Sequence, residues 1–222
     1  MTRMGAGFHE IRGFRKGVLV GVACTLLLSS ETIAGYKSQK VRLDPAGSYP
    51  CRQKQGSLTI AADPYQTWEK LKTAFDLKEL DQMGVIPIQV ILTNEGEETI
   101  VVQGSEIHLL DRKNRSIEGI SVEDVVRVVM GKNAPPTMSP SKSPLPFPLP
   151  GRHRGDLFEI ETDLTKKSLG EARVSPKSTV GGFLFFRLPE NQRDLSGYKV
   201  YVPEIRQLRG GESLLFFEID LK

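Results

Sequence analysis

The sequence VIPIQVILTNEGEETIVV, residues 85–102, is the stretch that decides the fold class. Its first half alternates with a period of two, and one side is wholly aliphatic, with Ile86, Ile88, Val90 and Leu92. This alternation predicts a β-strand that turns one face to the core. Pro87 cannot donate a backbone hydrogen bond. The strand is therefore expected to lie at a sheet edge or to leave its first residues unpaired on one side.

The residues after this strand predict further strands. Asn94-Glu95-Gly96 has the chemistry of a turn, so 99–103 and 106–111 are expected to continue the chain as three consecutive antiparallel strands. The C-terminal third shows strand patterns at 172–175, 179–188, 198–203 and 212–221. Short strands with turn signals every 8–12 residues or so are typical of a β-sandwich. We therefore predict a mainly β protein, built as an antiparallel β-sandwich.

A first short helix is expected to begin at Asp63, which would cap it, with Pro64 in the first turn. Helical spacing then brings four apolar side chains to one face: Tyr65, Trp68, Leu71 and Phe75. The aromatic members of this face suggest either packing against a sheet or a platform for a ligand. The period of 3.6 residues favours packing.

Three more short helices are expected, at 76–83, 122–130 and 161–170. Gly84 suits the C-terminal end of the first, and Ser121 can cap the second. The many valines of 122–130 leave a strand as an alternative there. The helices are expected to cover an open end or an edge of the sandwich.

The N-terminus has the pattern of an export signal, which we predict to be a signal helix over residues 1–34. Basic residues precede an uncharged apolar run of 12 residues, 17–28, which is the order found in signal peptides. Small side chains favour cleavage between Ala34 and Gly35. An uncleaved anchor is one alternative, but 12 helical residues span only about 18 Å of a hydrocarbon core of about 30 Å. A lipoprotein acylated at Cys24 is another, although Gly21 stands where a lipobox usually has Leu.

Removal of the signal leaves residues 35–222, which we predict to form a single β-sandwich domain. Its 26 basic and 25 acidic residues nearly cancel. A nucleic-acid partner is therefore not expected, because it requires a clear excess of positive charge. Cys51 would be the single remaining thiol. A buried or simply tolerated thiol is expected there, with an intermolecular disulfide or a reactive thiol as the alternatives.

A Pro-rich loop is predicted at 132–155, which holds seven of the 14 prolines of the chain. Its alternating prolines favour extended polyproline II geometry. It is interpreted as a surface loop or tether, or as a docking segment that inserts apolar side chains into a partner: Leu145, Phe147 and Leu149. Arg154-Gly155-Asp156 resembles the integrin-binding adhesion motif, but three residues carry too little specificity to support that function.

The sequence contains no arrangement typical of a metal, cofactor or catalytic site. His108, His153 and Cys51 are widely separated, so no zinc signature is present. His108 has the polar parity of its strand and is expected to be exposed. Glu218 and Asp220 share one face of the last predicted strand, where a pair of carboxylates could perform the acid–base chemistry of a glycosidase. Such a pair more often marks the solvated face of a sheet.

Three segments, IPIQVILTNEGEETIVV, GGFLFFRLP and LLFFEIDL, resemble the Ig-like domains of bacterial exported proteins that have no assigned activity. The resemblance implies an Ig-like sandwich and an envelope location, periplasmic or extracellular, and it transfers no functional residues. The resulting hypothesis is a non-catalytic binding or structural module with an envelope protein as partner. The alternative is a carboxylate-dependent envelope hydrolase. Membrane contact is expected only through the signal segment, if it is uncleaved or lipidated at Cys24.

Overall fold

The computed structural model describes residues 36–130, 154–188, 193–203, 205–207, 213–214 and 216–222. In these residues the strands are β1 Arg52–Gln55, β2 Leu58–Pro64, β3 Val85–Asn94, β4 Ile100–Gln103, β5 His108–Leu110, β6 Ser116–Ile117, β7 Glu171–Val174, β8 Ser178–Arg187, β9 Lys199–Val202, β10 Ile205–Gln207, β11 Ser213–Leu214 and β12 Phe217–Asp220. The helices are α1 Trp68–Leu71, α2 Lys78–Gln82, α3 Val122–Val129 and α4 Arg154–Lys167. The described residues all belong to one compact unit, which spans Gly35–Lys222.

The strands form antiparallel sheets of four strands each. Sheet A has the order β1-β2-β3-β8, sheet B the order β11-β10-β4-β7 and sheet C the order β12-β9-β5-β6. The predicted fold class is confirmed, because the protein is mainly β, with antiparallel sheets and a few short helices.

The main core lies between sheet A on one side and sheets B and C on the other. The aliphatic side of β3 points into it, and Ile88, Val90 and Leu92 are fully buried there. Val102 of sheet B and Val200 of sheet C belong to the same cluster. The alternation predicted for β3 is thus confirmed, and so is the inward face predicted for the last strand, with Phe217, Ile219 and Leu221.

A second core lies on the opposite face of sheet A and is made with the helices. Phe183 of β8 meets Phe75 edge to face, with ring centroids 4.9 Å apart, and Leu164 of α4 is in the same cluster. The helices therefore cover a face of sheet A, and the expectation that they cover an open end or edge is wrong. The reason is the burial of β3 on both of its faces, where nine of its ten residues are buried. A strand buried on both faces needs a packed layer on each side.

The first helix begins later than predicted. Asp63 and Pro64 end β2, whose pairing with β3 runs to Pro64↔Ile88. The helix starts at Trp68, and Thr67 caps it by accepting a hydrogen bond from Lys70 N at 3.3 Å. Asp63 instead forms an ion pair with Lys70 at 2.5 Å. Continued pairing with β3 extends the strand over residues that alone would favour a helix start.

The other helices follow the prediction more closely. Gly84 has a φ of +69° at the end of α2, as its predicted role requires. Ser121 caps α3 by accepting from Asp124 N at 3.2 Å, so the strand alternative for this segment is wrong. The last helix, α4, is longer than predicted, because it begins at Arg154 within the range assigned to the Pro-rich loop.

The turn at Asn94 does not form a hairpin. β3 belongs to sheet A, whereas β4 pairs with β7 and β10 in sheet B, and β5 lies in sheet C. The prediction of three consecutive paired strands is therefore wrong. Asn94 directs the crossing, since its Nδ2 donates to Glu98 O at 2.7 Å and to Val174 O at 3.2 Å. Period-two alternation identifies a strand but not its partner, which depends on contacts distant in sequence.

Pro87 lies in β3, which has a partner strand on each side, so the predicted edge position is wrong. The alternative, that the first residues of the strand are unpaired on one side, is correct. The ladder between β2 and β3 stops at Pro64↔Ile88. One residue further on, the Pro87 carbonyl accepts from Tyr65 N at 2.9 Å. The missing N–H of Pro87 therefore falls where β2 has already ended.

The predicted strand at 212–221 is divided between β11 in sheet B and β12 in sheet C. Two glutamine side chains of β1 join sheet A to β12. Gln53 Oε1 accepts from Glu218 N at 2.7 Å, and Gln55 Nε2 donates to Phe216 O at 3.0 Å. These contacts satisfy backbone groups that an edge strand would otherwise leave open.

The predicted signal helix at 1–34 and the cleavage residues Ala34 and Gly35 lie outside the described residues. None of the helices in the described residues has the length and apolar composition of a membrane-spanning helix.

Candidate functional site

A cleft of about 490 Å³ lies at the edge of sheet A that β8 forms. Segments before α3 and after α4 form its walls, and each is bonded to this edge. Ile120 N donates to Phe185 O at 2.8 Å, and Leu169 N donates to Phe183 O at 2.9 Å. The third wall is the connection between β4 and β5, which contributes Gly104, together with His108, the first residue of β5.

Close backbone packing shapes this cleft and requires glycine at Gly104. A Cβ atom there would lie 2.0 Å from Leu169 O, well inside van der Waals contact. The Gly104 amide also donates to Gly170 O at 2.9 Å. The two walls can approach this closely only because no side chain stands between them.

His108 is half-buried in the cleft rather than exposed as predicted. Its neighbours Ile107 and Leu109 are buried in the main core, so the outward direction of His108 agrees with strand parity. Its Nδ1 is buried and has no hydrogen-bond partner among the described residues. Two of the cleft walls come from distant parts of the chain, which is why local alternation could not reveal the cleft.

Three other polar side chains of the cleft, Gln103, Ser121 and Glu171, are engaged in local structure. Glu171 accepts hydrogen bonds from Arg173 Nε at 2.6 Å and from Gln103 Nε2 at 3.0 Å. These bonds lower the pKa of Glu171, and the bond from Arg173 has the larger effect. Ser121 Oγ donates to Asp124 at 3.1 Å in the cap of α3. Among the described residues no hydrogen bond joins a cleft serine to His108. The cleft therefore offers hydrogen-bonding groups without a paired nucleophile and base.

Glu218 and Asp220 lie on the outer face of sheet C, opposite Tyr201 and Lys199 of β9. Glu218 Oε2 accepts from Lys199 Nζ at 2.8 Å. This hydrogen bond, with the negative charges of Glu218 and Asp220, raises the pKa of Lys199. The two carboxylates share one face as predicted, and a lysine lies beside them.

Two aromatic rings adjoin this charged pair. Tyr201 and Phe216 have ring centroids 5.7 Å apart with planes tilted by 39°, and Phe216 is 48% exposed. We call Lys199, Tyr201, Phe216 and Glu218 together the ring face. Sequence reasoning placed these residues in strands but did not bring them together, because Tyr201 and Phe216 meet only through the pairing of β9 with β12.

A buried polar cluster was also missed. Asp163 of α4 is 6% exposed and accepts from Tyr36 Oη at 2.5 Å and from Ser38 Oγ. Lys167 Nζ donates to Asp163 at 2.6 Å and to Ala74 O at 2.7 Å. The spacing Asp163 to Lys167, one helical turn apart, was the available signal. Because the partners are all on the protein, this cluster holds the segment at 36–38 against α4 and is structural.

The remaining predicted positions do not converge on a site. Cys51 is buried and its thiol is free. Arg154-Gly155-Asp156 forms the first turn of α4. His153 and the proposed docking residues Leu145, Phe147 and Leu149 lie outside the described residues. In the ranges that the structure describes, no group of three His, Cys, Asp or Glu side chains could hold a metal ion.

Comparisons with known proteins assign no family. No family model matches the chain, and no curated protein matches it. Among solved structures, the chain is similar to the crystal structure of the yjhA protein from Bacillus subtilis, with 14% identity over 69% of this chain and 78% of that chain. The TM-score is 0.35, and a likeness at that level carries no argument about function.

Proposed function

We propose that the chain is a non-catalytic, exported binding or structural module of the cell envelope that contacts a protein partner through its loops. The observation that carries this proposal is the position of the Pro-rich segment between α3 and α4. Val125 and Val129 of α3 share the second core with Ile160 and Leu164 of α4. Both ends of the segment are thus attached to helices that are packed on sheet A, and a rigid frame is what a binding loop requires.

The composition of the segment supports a docking role. Prolines alternate with Leu145, Phe147 and Leu149, and alternating prolines reduce the entropy that an extended segment loses on binding. A partner with an apolar groove is the class of protein that such a segment fits. Export through residues 1–34 would bring the module to the envelope.

Catalysis by the carboxylates of the last strand is not favoured by their surroundings. Glu218 is bonded to Lys199 at 2.8 Å, so its use as a general acid would first require this ion pair to break. An envelope hydrolase nevertheless makes a clear prediction, since Glu218→Gln would abolish turnover of an envelope polysaccharide.

The test is crosslinking and co-purification of the tagged full-length protein from intact envelopes. One variant changes Leu145, Phe147 and Leu149 to Ser and keeps every proline. Its matched control changes Ser139, Ser141 and Ser143 of the same segment to Ala. We expect a specific partner to be lost in the first variant and kept in the control. The proposal is wrong if no partner is captured, or if both variants capture it equally well.

A further inference from the structure

The ring face contains an apolar surface that the fold leaves in solvent. Large apolar side chains are mostly buried in the described residues, and Phe216 is one of three that are exposed, at 48%. Tyr201 packs beside it and is itself half-buried. The two adjacent rings, tilted by 39° to each other, form a wider apolar surface than the single exposed phenylalanine that is ordinary on a protein.

Polar groups lie at the edge of this surface, and two of them, Lys199 and Glu218, are held by an ion pair. The register pairs Tyr201 with Glu218 on one side and with His108 on the other, and directly opposed side chains have Cβ atoms about 5 Å apart. Lys199 holds Glu218 through the ion pair at 2.8 Å, and Asp220 lies opposite Lys199. Donors and acceptors therefore flank the rings.

The backbone beneath the rings is also held in place. Gln55 Nε2 donates to Phe216 O at 3.0 Å, and Gln53 Oε1 accepts from the adjacent Glu218 amide at 2.7 Å. A ligand that settles on this face would order few additional groups. Prior order of this kind reduces the entropic cost of binding.

We propose that the ring face binds a neutral saccharide chain. A pyranose ring has an apolar face of C–H groups and a rim of hydroxyl groups, and the ring face offers flat rings beside fixed carboxylate and ammonium groups. The charges select against an anionic ligand, because Glu218 and Asp220 outnumber Lys199. None of the residues of the ring face belongs to the Pro-rich segment, and the proposal does not depend on the function proposed above.

The test is a titration of the full chain with two soluble probes, cellotetraose and the β-1,4-linked tetramer of N-acetylglucosamine. Calorimetry and NMR measure the binding. We expect saturable binding of at least one probe. Phe216→Ala should weaken it about ten-fold, which corresponds to about 1.4 kcal/mol, and Phe216→Trp should retain it because a flat ring remains. The control is Phe158→Ala, which removes a ring that is 72% exposed on α4 and should leave binding unchanged.

Three results would overturn the proposal. The first is that neither tetramer binds the unaltered protein. The second is that Phe158→Ala and Phe216→Ala weaken binding equally, which would show that loss of any exposed ring has the same effect. The third is that Phe216→Ala changes the oligomeric state of the protein in sedimentation, which would make this face a protein contact. Thermal unfolding of the Phe216 variants identifies loss of fold, and retained binding by Phe216→Trp shows that an effect of Ala belongs to the ring.

Discussion

Replacement of Asp163 by Asn should destabilise the fold by about 3 kcal/mol, because it leaves a buried ammonium without its counterion. The side chains of Asp163 and Lys167 are 7% and 13% exposed. Removal of one partner from a buried ion pair costs about 3–5 kcal/mol. The lower end applies here, since Lys167 keeps its bond to Ala74 O at 2.7 Å and its position 4.9 Å from the centre of the Phe75 ring.

A double replacement tests the physical reason. Lys167→Met alone should also destabilise, because it leaves Asp163 charged and buried with only the hydroxyl donors of Tyr36 and Ser38. The variant with both Asp163→Asn and Lys167→Met contains no uncompensated charge. Its loss of stability should therefore be clearly smaller than the sum of the two single losses.

Urea unfolding followed by circular dichroism measures these free energies, with an unchanged m-value as the check that two-state unfolding persists. The control is Lys166→Met, an exposed position on the same helix, where a change within about 0.5 kcal/mol is expected. The reasoning is refuted if Asp163→Asn costs less than about 1 kcal/mol, or if the two single losses simply add.

Two further predictions concern the walls of the cleft and the turn between β5 and β6. Gly104→Ala should lower the midpoint of thermal unfolding strongly, because its Cβ would lie 2.0 Å from Leu169 O, whereas Gly170→Ala, with nothing within 4 Å, should have little effect; equal midpoints would contradict this. The pKa of Asp111 is lowered, mainly by the hydrogen bond from the Arg115 amide. The contribution of Asp111 to stability is therefore present above the unfolded-state pKa of about 3.9, and it is lost as the pH falls through the lower folded-state value. Asp111→Asn should therefore reduce the fall of the urea midpoint between about pH 5 and pH 2, and an unaltered pH profile would show that Asp111 does not contribute.

The sequence predicted strands better than it predicted their partners. Residue alternation was sufficient to find β3 and its inward side, and the apolar residues of 179–188 were sufficient to find β8. By contrast, β1 reads RQKQ and contains no apolar residue, so no hydrophobic pattern marks it. It is a strand because it pairs with β2. The side chains of Gln53 and Gln55 also form hydrogen bonds with the backbone of Glu218 and Phe216.

The candidate sites were harder to predict, because each depends on long-range pairing. His108 has ordinary polar parity in its own strand, and its place in a cleft depends on the segments at Ile120 and Leu169, which are distant in sequence. The ring face requires Tyr201 and Phe216 to meet across two strands. Asp163 and Lys167 are the exception, since their helical spacing was visible in the sequence, although the approach of Tyr36 was not.

The layer order explains why the two proposed contacts should be independent. Sheet A is covered on one face by the helices and on the other by sheets B and C, so among the described residues both of its faces are occupied by packing. The Pro-rich segment is attached to the helical layer, whereas the ring face belongs to sheet C on the opposite side of sheet A. Phe216→Ala should therefore leave partner capture intact, and replacement of Leu145, Phe147 and Leu149 should leave saccharide binding intact. If either change altered both measurements, the two contacts would be coupled, and the independence inferred from the layer order would be wrong.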